Sequence, residues 1–134
     1  IGHGTTRNGR PGRVNRVDDL SSALVATGFG YDPGRRRRQA EALVSIIGHI
    51  GDIRRCGGAA TDLASVACGR VDAYFERGLN PWDCAAGAVL VTEAGGRVTD
   101  LEGRPTNGGM VVAAPVDLHG PLLELLRSAG AELA

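Results

Sequence analysis

Two carboxylates seven residues apart carry the most chemistry in this chain. They bracket the run Glu76-Arg77-Gly78-Leu79-Asn80-Pro81-Trp82-Asp83-Cys84-Ala85-Ala86-Gly87. Asp83 falls in the first turn of a helix that Asn80 caps and Pro81 starts. Ala85, Ala86, Gly87 and Ala88 leave almost no bulk around it, so a metal, a substrate or another backbone can approach. An exposed carboxylate of this kind suits a hard cation such as Mg²⁺, which prefers oxygen donors. The same carboxylate also suits a capping role, satisfying free N–H groups for about 0.5–1 kcal/mol. Glu76 sits near the carboxyl end of a strand, where open α/β sheets gather their ligands. It can line one crevice with Asp83, or stand as a surface acid beside Arg77.

Gly57-Gly58-Ala59 is a glycine-rich helix entry whose free N–H groups can meet an anion or sugar hydroxyls; many such entries are merely tight turns. Arg35-Arg36-Arg37-Arg38 allows a phosphate or nucleic-acid contact, but in the first turn of an amphipathic helix it also reads as a solvated face. His3, His49 and His119 are scattered without metal-ligand spacing, and no nucleophile neighbours them. Cys84 beside Asp83 reads as a small packing residue, because the adjacent carboxylate disfavours a thiolate. No Gly-x-Gly-x-x-Gly or P-loop pattern occurs.

The elements that must position these groups alternate. Residues 1–16 hold the turn signals Asn8-Gly9 and Arg10-Pro11-Gly12, enough for a small hairpin. Residues 23–27 read as a buried strand ending in Gly28-Phe29-Gly30. Asp32-Pro33 then starts a helix to about His49, with Ala40, Leu43, Val44, Ile46 and Ile47 as its apolar face. A short strand at 53–56 precedes a helix over 59–69 that puts Leu63, Val66 and Ala67 on one side. Residues 71–77 alternate Val71, Ala73, Phe75 against Asp72, Tyr74, Glu76, a strand with two unlike faces. A helix over 81–94 ends at Gly95-Gly96, strands follow at 97–101 and 110–114, and a last helix spans 118–129. Strands alternating with helices predict a layered α/β sandwich with a largely parallel sheet.

The totals fit one domain, residues 17–134 behind the hairpin. The chain's 134 residues bury roughly 65–70% of their extended surface. Fifteen basic residues, all Arg, balance fifteen acidic ones, so no global charge recruits nucleic acid or an anionic membrane. Cys56, Cys68 and Cys84 form neither a disulfide framework nor a zinc pattern, and a reducing, cytoplasmic compartment fits them. No apolar run approaches the roughly 18–20 residues of a membrane span. The opening Ile1-Gly2-His3-Gly4 lacks an initiator Met and reads as continuing from an upstream region.

Extended back through Ile53-Arg54-Arg55-Cys56-Gly57-Gly58-Ala59-Ala60-Thr61-Asp62-Leu63 and forward through Glu93-Ala94-Gly95-Gly96-Arg97-Val98-Thr99-Asp100, the pattern resembles the C-terminal half of the inositol monophosphatase family. The likeness is dense from Ile53 to Asp100 and looser at both ends. It implies a Mg²⁺-dependent, Li⁺-sensitive phosphomonoesterase of alternating α/β sandwich fold, usually a homodimer. By that resemblance Asp83 binds Mg²⁺, Glu76 accepts hydrogen bonds from inositol hydroxyls, and Gly57, Gly58 and Ala59 line the substrate pocket. The family's other acidic ligands come from an N-terminal half with an Asp-Pro-Ile-Asp-Gly-Thr-type loop, and this chain contains no Asp-Gly pair. The expectation is therefore a substrate-recognising half that depends on the missing N-terminal half, with no catalytic base of its own and little activity alone. Inositol 1-phosphate is the expected substrate. Histidinol phosphate, fructose 1,6-bisphosphate or an adenosine bisphosphate are alternatives within the superfamily, and a non-catalytic binding module that keeps the fold is the alternative from another class.

Overall fold

The computed structural model describes residues 1–131; the last three residues of the 17–134 segment lie outside the described residues. The chain opens on a hairpin, β1 (Thr5–Arg7) paired antiparallel with β2 (Arg10–Gly12). Asn8 and Gly9 turn it with φ of 51° and 77°, the left-handed pair that matches strand twist. The hairpin is tied to the body. Gly2 N and Gly4 N donate to the Glu93 carboxylate at 2.7 and 2.8 Å, and Thr5 Oγ1 donates to Leu90 O at 2.7 Å.

The remaining strands are β3 (Leu24–Thr27), β4 (Asp52–Arg54), β5 (Ala73–Leu79), β6 (Gly96–Thr99) and β7 (Gly109–Pro115), and they form one five-stranded sheet in the order β4-β3-β5-β7-β6. β3 pairs parallel with β4 and β5, whereas β7 pairs antiparallel with β5 and β6. Four strands thus point one way and β7 runs against them. The helices are α1 (Pro33–Ile46), α2 (Ala59–Ala67), α3 (Pro81–Glu93) and α4 (Val116–Ser128). Strand period two sends alternate residues into two cores. Val25, Ala73, Phe75, Met110 and Val112 pack with Ile46 of α1 and Leu118, Leu122 and Leu126 of α4. Ala26, Tyr74, Val111 and Ala113 pack with Leu63 and Val66 of α2 and Cys84 and Val91 of α3. The result is a three-layer α/β sandwich, the predicted class.

Local expectations fared unevenly. Asp32 caps α1 by accepting from Arg35 N at 2.8 Å, and Pro33 follows it as expected. The apolar face of α1 is displaced from the expected one. Its buried residues are Gln39, Ala42 and Ile46, with Leu43 half-buried, while Ala40 is exposed, Val44 is 76% exposed and Ile47 43%. A polar residue displaced the phase, since Gln39 faces inward to join the loop after β3 to β5. Its Oε1 accepts from Gly30 N at 2.8 Å and its Nε2 donates to Arg77 O at 3.1 Å. The α-helix ends at Ile46, with a 3₁₀ turn carrying the chain on to His49.

The alternation in β5 is real, but both its rows are buried, because β5 lies between β3 and β7 and helices cover both faces. Asp72 survives there by accepting from Leu24 N at 2.7 Å and Asn15 Nδ2 at 2.8 Å. Leu63, Val66 and Ala67 on α2 are buried together as expected.

His119 belongs to this framework. Its Nε2 lies 3.0 Å from Thr99 Oγ1, a hydroxyl that donates to Asp100 O at 2.7 Å. Burial, with the Arg97 charge nearby, pushes its pKa below the ordinary 6.5. A histidine kept neutral in the fold is protonated first in the unfolded chain. Its contribution to stability is therefore present above about pH 6.5 and lost as pH falls from there through the folded pKa. Thermal unfolding between pH 7.5 and 5 is expected to fall more steeply for the wild type than for His119→Gln. Parallel slopes would contradict this.

Candidate active site

A cleft of about 530 Å³ opens where the carboxyl ends of β3 and β5 meet the N-termini of α2 and α3. Its walls include Gly28, Arg35, Arg55, Gly57, Gly58, Ala59, Glu76 and Asp83. The structure thus brings together all five residues singled out from the sequence, Glu76, Gly57, Gly58, Ala59 and Asp83. This is the position open α/β sheets offer a ligand.

Glu76 is half-buried on the strand face that looks toward α2 and α3. Tyr74, two residues earlier and therefore on the same face, donates its hydroxyl to Glu76 Oε2 at 2.6 Å. Burial raises the Glu76 pKa; the Tyr74 hydroxyl opposes the rise, Asp62 adds to it, and Arg55 opposes it. Gly28 forms the wall behind the carboxylate. A Cβ there would lie 2.0 Å from Oε2, so any larger residue would force the Glu76 carboxylate to move. Gly28→Ala is expected to push the carboxylate away from the Tyr74 hydroxyl and cost about 0.5–1.5 kcal/mol of stability, the worth of that hydrogen bond, measured by urea unfolding. An unchanged midpoint would show the wall to be slack.

The two helix N-termini differ. Asp83 Oδ2 accepts from Asn80 N at 2.8 Å, so the capping role is occupied and one carboxylate oxygen remains for another ligand. At α2 the N-cap is Gly58, with no side chain to satisfy the first N–H groups, which leaves them for an anion. Gly57 reaches this entry at φ +99°, a conformation L side chains avoid. Cys84 is buried against Asn80 O and Pro81 O, and burial and then Asp83 raise its pKa, as befits a packing residue.

Beyond those five, the cleft wall includes Arg35, from the arginine run that allows a phosphate contact, and Arg55 and Gly28, which the sequence did not single out. Arg35 alone of its run turns inward, lying over Gly78, while Arg36 donates to Gly30 O at 3.2 Å. Arg55 lies over Gly57. Neither Arg35 nor Arg55 forms an ion pair among the described residues. Gly28 was visible as half of a glycine pair closing a buried strand. Asp62, on α2, is fully buried, and among the described residues neither carboxylate oxygen has a hydrogen-bond partner. Burial pushes its pKa up, opposed by the Cys56 thiol and then by Arg55.

A hard cation needs several oxygen donors. Among the described residues no group of three or more His, Cys, Asp or Glu side chains is placed to hold a metal. Asp83 offers one oxygen. These residues alone therefore do not make a Mg²⁺ site.

The model of the inositol monophosphatase family matches residues 1–131. The chain belongs to the inositol monophosphatase family. It is 50% identical over 102 residues to the inositol-1-monophosphatase SuhB of Mycobacterium tuberculosis, covering 76% of this chain and 35% of that protein. It is 47% identical over 106 residues to the Nus factor SuhB of Salmonella typhimurium, covering 76% and 39%. The solved inositol monophosphatase of Anabaena superposes with a TM-score of 0.88 at 42% identity, over 95% of this chain and 52% of that one. The chain thus spans between a third and a half of the length of these family members. Among its described residues, no helix is long and apolar enough to cross a membrane.

Proposed function

We propose that this chain is the C-terminal, substrate-recognising part of a Mg²⁺-dependent phosphomonoesterase that hydrolyses inositol 1-phosphate to inositol and phosphate. The observation that carries the reading is the single cleft shared by Glu76, the uncapped entry of α2 and Asp83. Each wall suits a different part of a polyol phosphate. The Glu76 carboxylate accepts hydrogen bonds from ring hydroxyls. The N–H groups after Gly58, with the unpaired Arg35 and Arg55 guanidiniums, favour the phosphate. Asp83 is the one metal ligand this chain supplies, and the remaining acidic ligands belong to an N-terminal half of the same fold. A cation bound there would neutralise the phosphate and acidify the attacking water. Li⁺ sensitivity, a homodimer and a cytoplasmic setting belong to the same proposal, the last supported by three free thiols.

Supplying an N-terminal half from a relative tests the reading: Mg²⁺-dependent phosphate release from inositol 1-phosphate should appear and exceed that from histidinol phosphate, fructose 1,6-bisphosphate and an adenosine bisphosphate. A preference for one of those would move the substrate within the superfamily. Total inactivity of the joined protein would favour a non-catalytic binding module. The absence of any Asp-Gly pair from this chain is the observation on that side.

A further inference from the structure

Tyr74 has a polar end that packing alone does not require. Its ring is fully buried in the layer between sheet and α2–α3, among Leu63, Val66 and Val91. Phenylalanine would fill that space equally well. The hydroxyl instead reaches a residue of the cleft wall, 2.6 Å from Glu76 Oε2. Gly28 backs the same carboxylate, both oxygens of which lie close to where a Cβ would stand, so the group is held between a hydroxyl donor and a backbone wall. Glu76 Oε1 has no hydrogen-bond partner among the described residues.

We infer that Tyr74 is a positioning residue for substrate recognition, its buried hydroxyl holding Glu76 Oε2 against Gly28 so that Oε1 is the oxygen presented to a ring hydroxyl. The inference rests on the proposed role of Glu76 in polyol binding. Without the hydroxyl, the carboxylate has free rotation about its last bond and must be ordered anew by each substrate molecule. The hydroxyl also donates to the charged form of the acid, so its removal makes Glu76 easier to protonate. A tyrosine that merely satisfied its own buried hydroxyl would leave substrate affinity untouched.

The test has two arms. In the first, the Glu76 side-chain carboxyl is titrated by carbon NMR in this 134-residue chain, wild type and Tyr74→Phe. The midpoint is expected to rise by about one pH unit. A midpoint that stays or falls would overturn the inference. Should Tyr74→Phe fail to fold, Glu76→Gln serves instead: it must move the Tyr74 ring-carbon resonance and leave that of the exposed Tyr31 in place, and an unmoved Tyr74 would be equally fatal. In the second arm, with an N-terminal half joined, Tyr74→Phe is expected to raise KM for inositol 1-phosphate about tenfold with kcat within about twofold, and to leave an aryl phosphate unaffected. Equal effects on both substrates would remove the recognition role. The first arm needs no turnover, so loss of the phosphatase reading and loss of the Tyr74–Glu76 coupling are told apart.

Discussion

Asp83→Asn is expected to lower Mg²⁺-dependent turnover by at least about 10²–10³-fold in the protein carrying an acidic N-terminal half. Unfolding free energy should stay within about 1 kcal/mol. On the proposed reading the residue has two jobs on two oxygens, so the two effects separate. The amide oxygen of asparagine can still accept from Asn80 N, the bond that closes the first turn of α3 at 2.8 Å. What is lost is the negative charge, and an amide is a poor substitute where a hard dication must be held. Phosphate release at saturating Mg²⁺, read beside a denaturation curve, checks both halves. Activity that survives while stability falls would mean the capping role is the whole role.

Glu76→Gln should lower kcat/KM for inositol 1-phosphate by about 10–100-fold, the worth of one hydrogen bond to a charged group. An aryl phosphate, which offers no ring hydroxyls, should be hydrolysed nearly as before. The glutamine keeps the size of the side chain beside Gly28, where space is scarce, so the change isolates charge and acceptor strength. It also turns the charge-assisted hydrogen bond from the Tyr74 hydroxyl into a neutral one. Kinetics on both substrates decide the matter, and equal losses would reject sugar recognition by this residue.

The fold was legible because its boundaries are chemical. Asp32-Pro33, Asn80-Pro81 and Gly95 mark helix ends by side-chain acceptors, fixed φ and a left-handed turn, and each stands where those properties require. The cleft was legible for a similar reason: a carboxylate past an N-cap, an acid at a strand end and a glycine helix entry are local patterns. What escaped was tertiary. Gln39 faces inward only because Gly30 N and Arg77 O wait there, and no periodicity in α1 announces that. Arg35 differs from its three neighbours only in lying over Gly78, a side-chain-free stretch of β5. The burial of both rows in β5 depends on its central place in the sheet, which the residues of β5 do not specify. Asp62 was quoted as part of a motif, yet its unpartnered burial follows from the packing of α2 against the sheet.

The most direct measurement is phosphate release from inositol 1-phosphate, with Mg²⁺, by this 134-residue chain alone and by the same chain joined to an N-terminal half from a relative. The account predicts no turnover from the chain alone, turnover once the acidic half is present, and its loss again in Asp83→Asn. Turnover by the chain alone that vanishes in Asp83→Asn would contradict it, because a complete metal site would then exist within these residues.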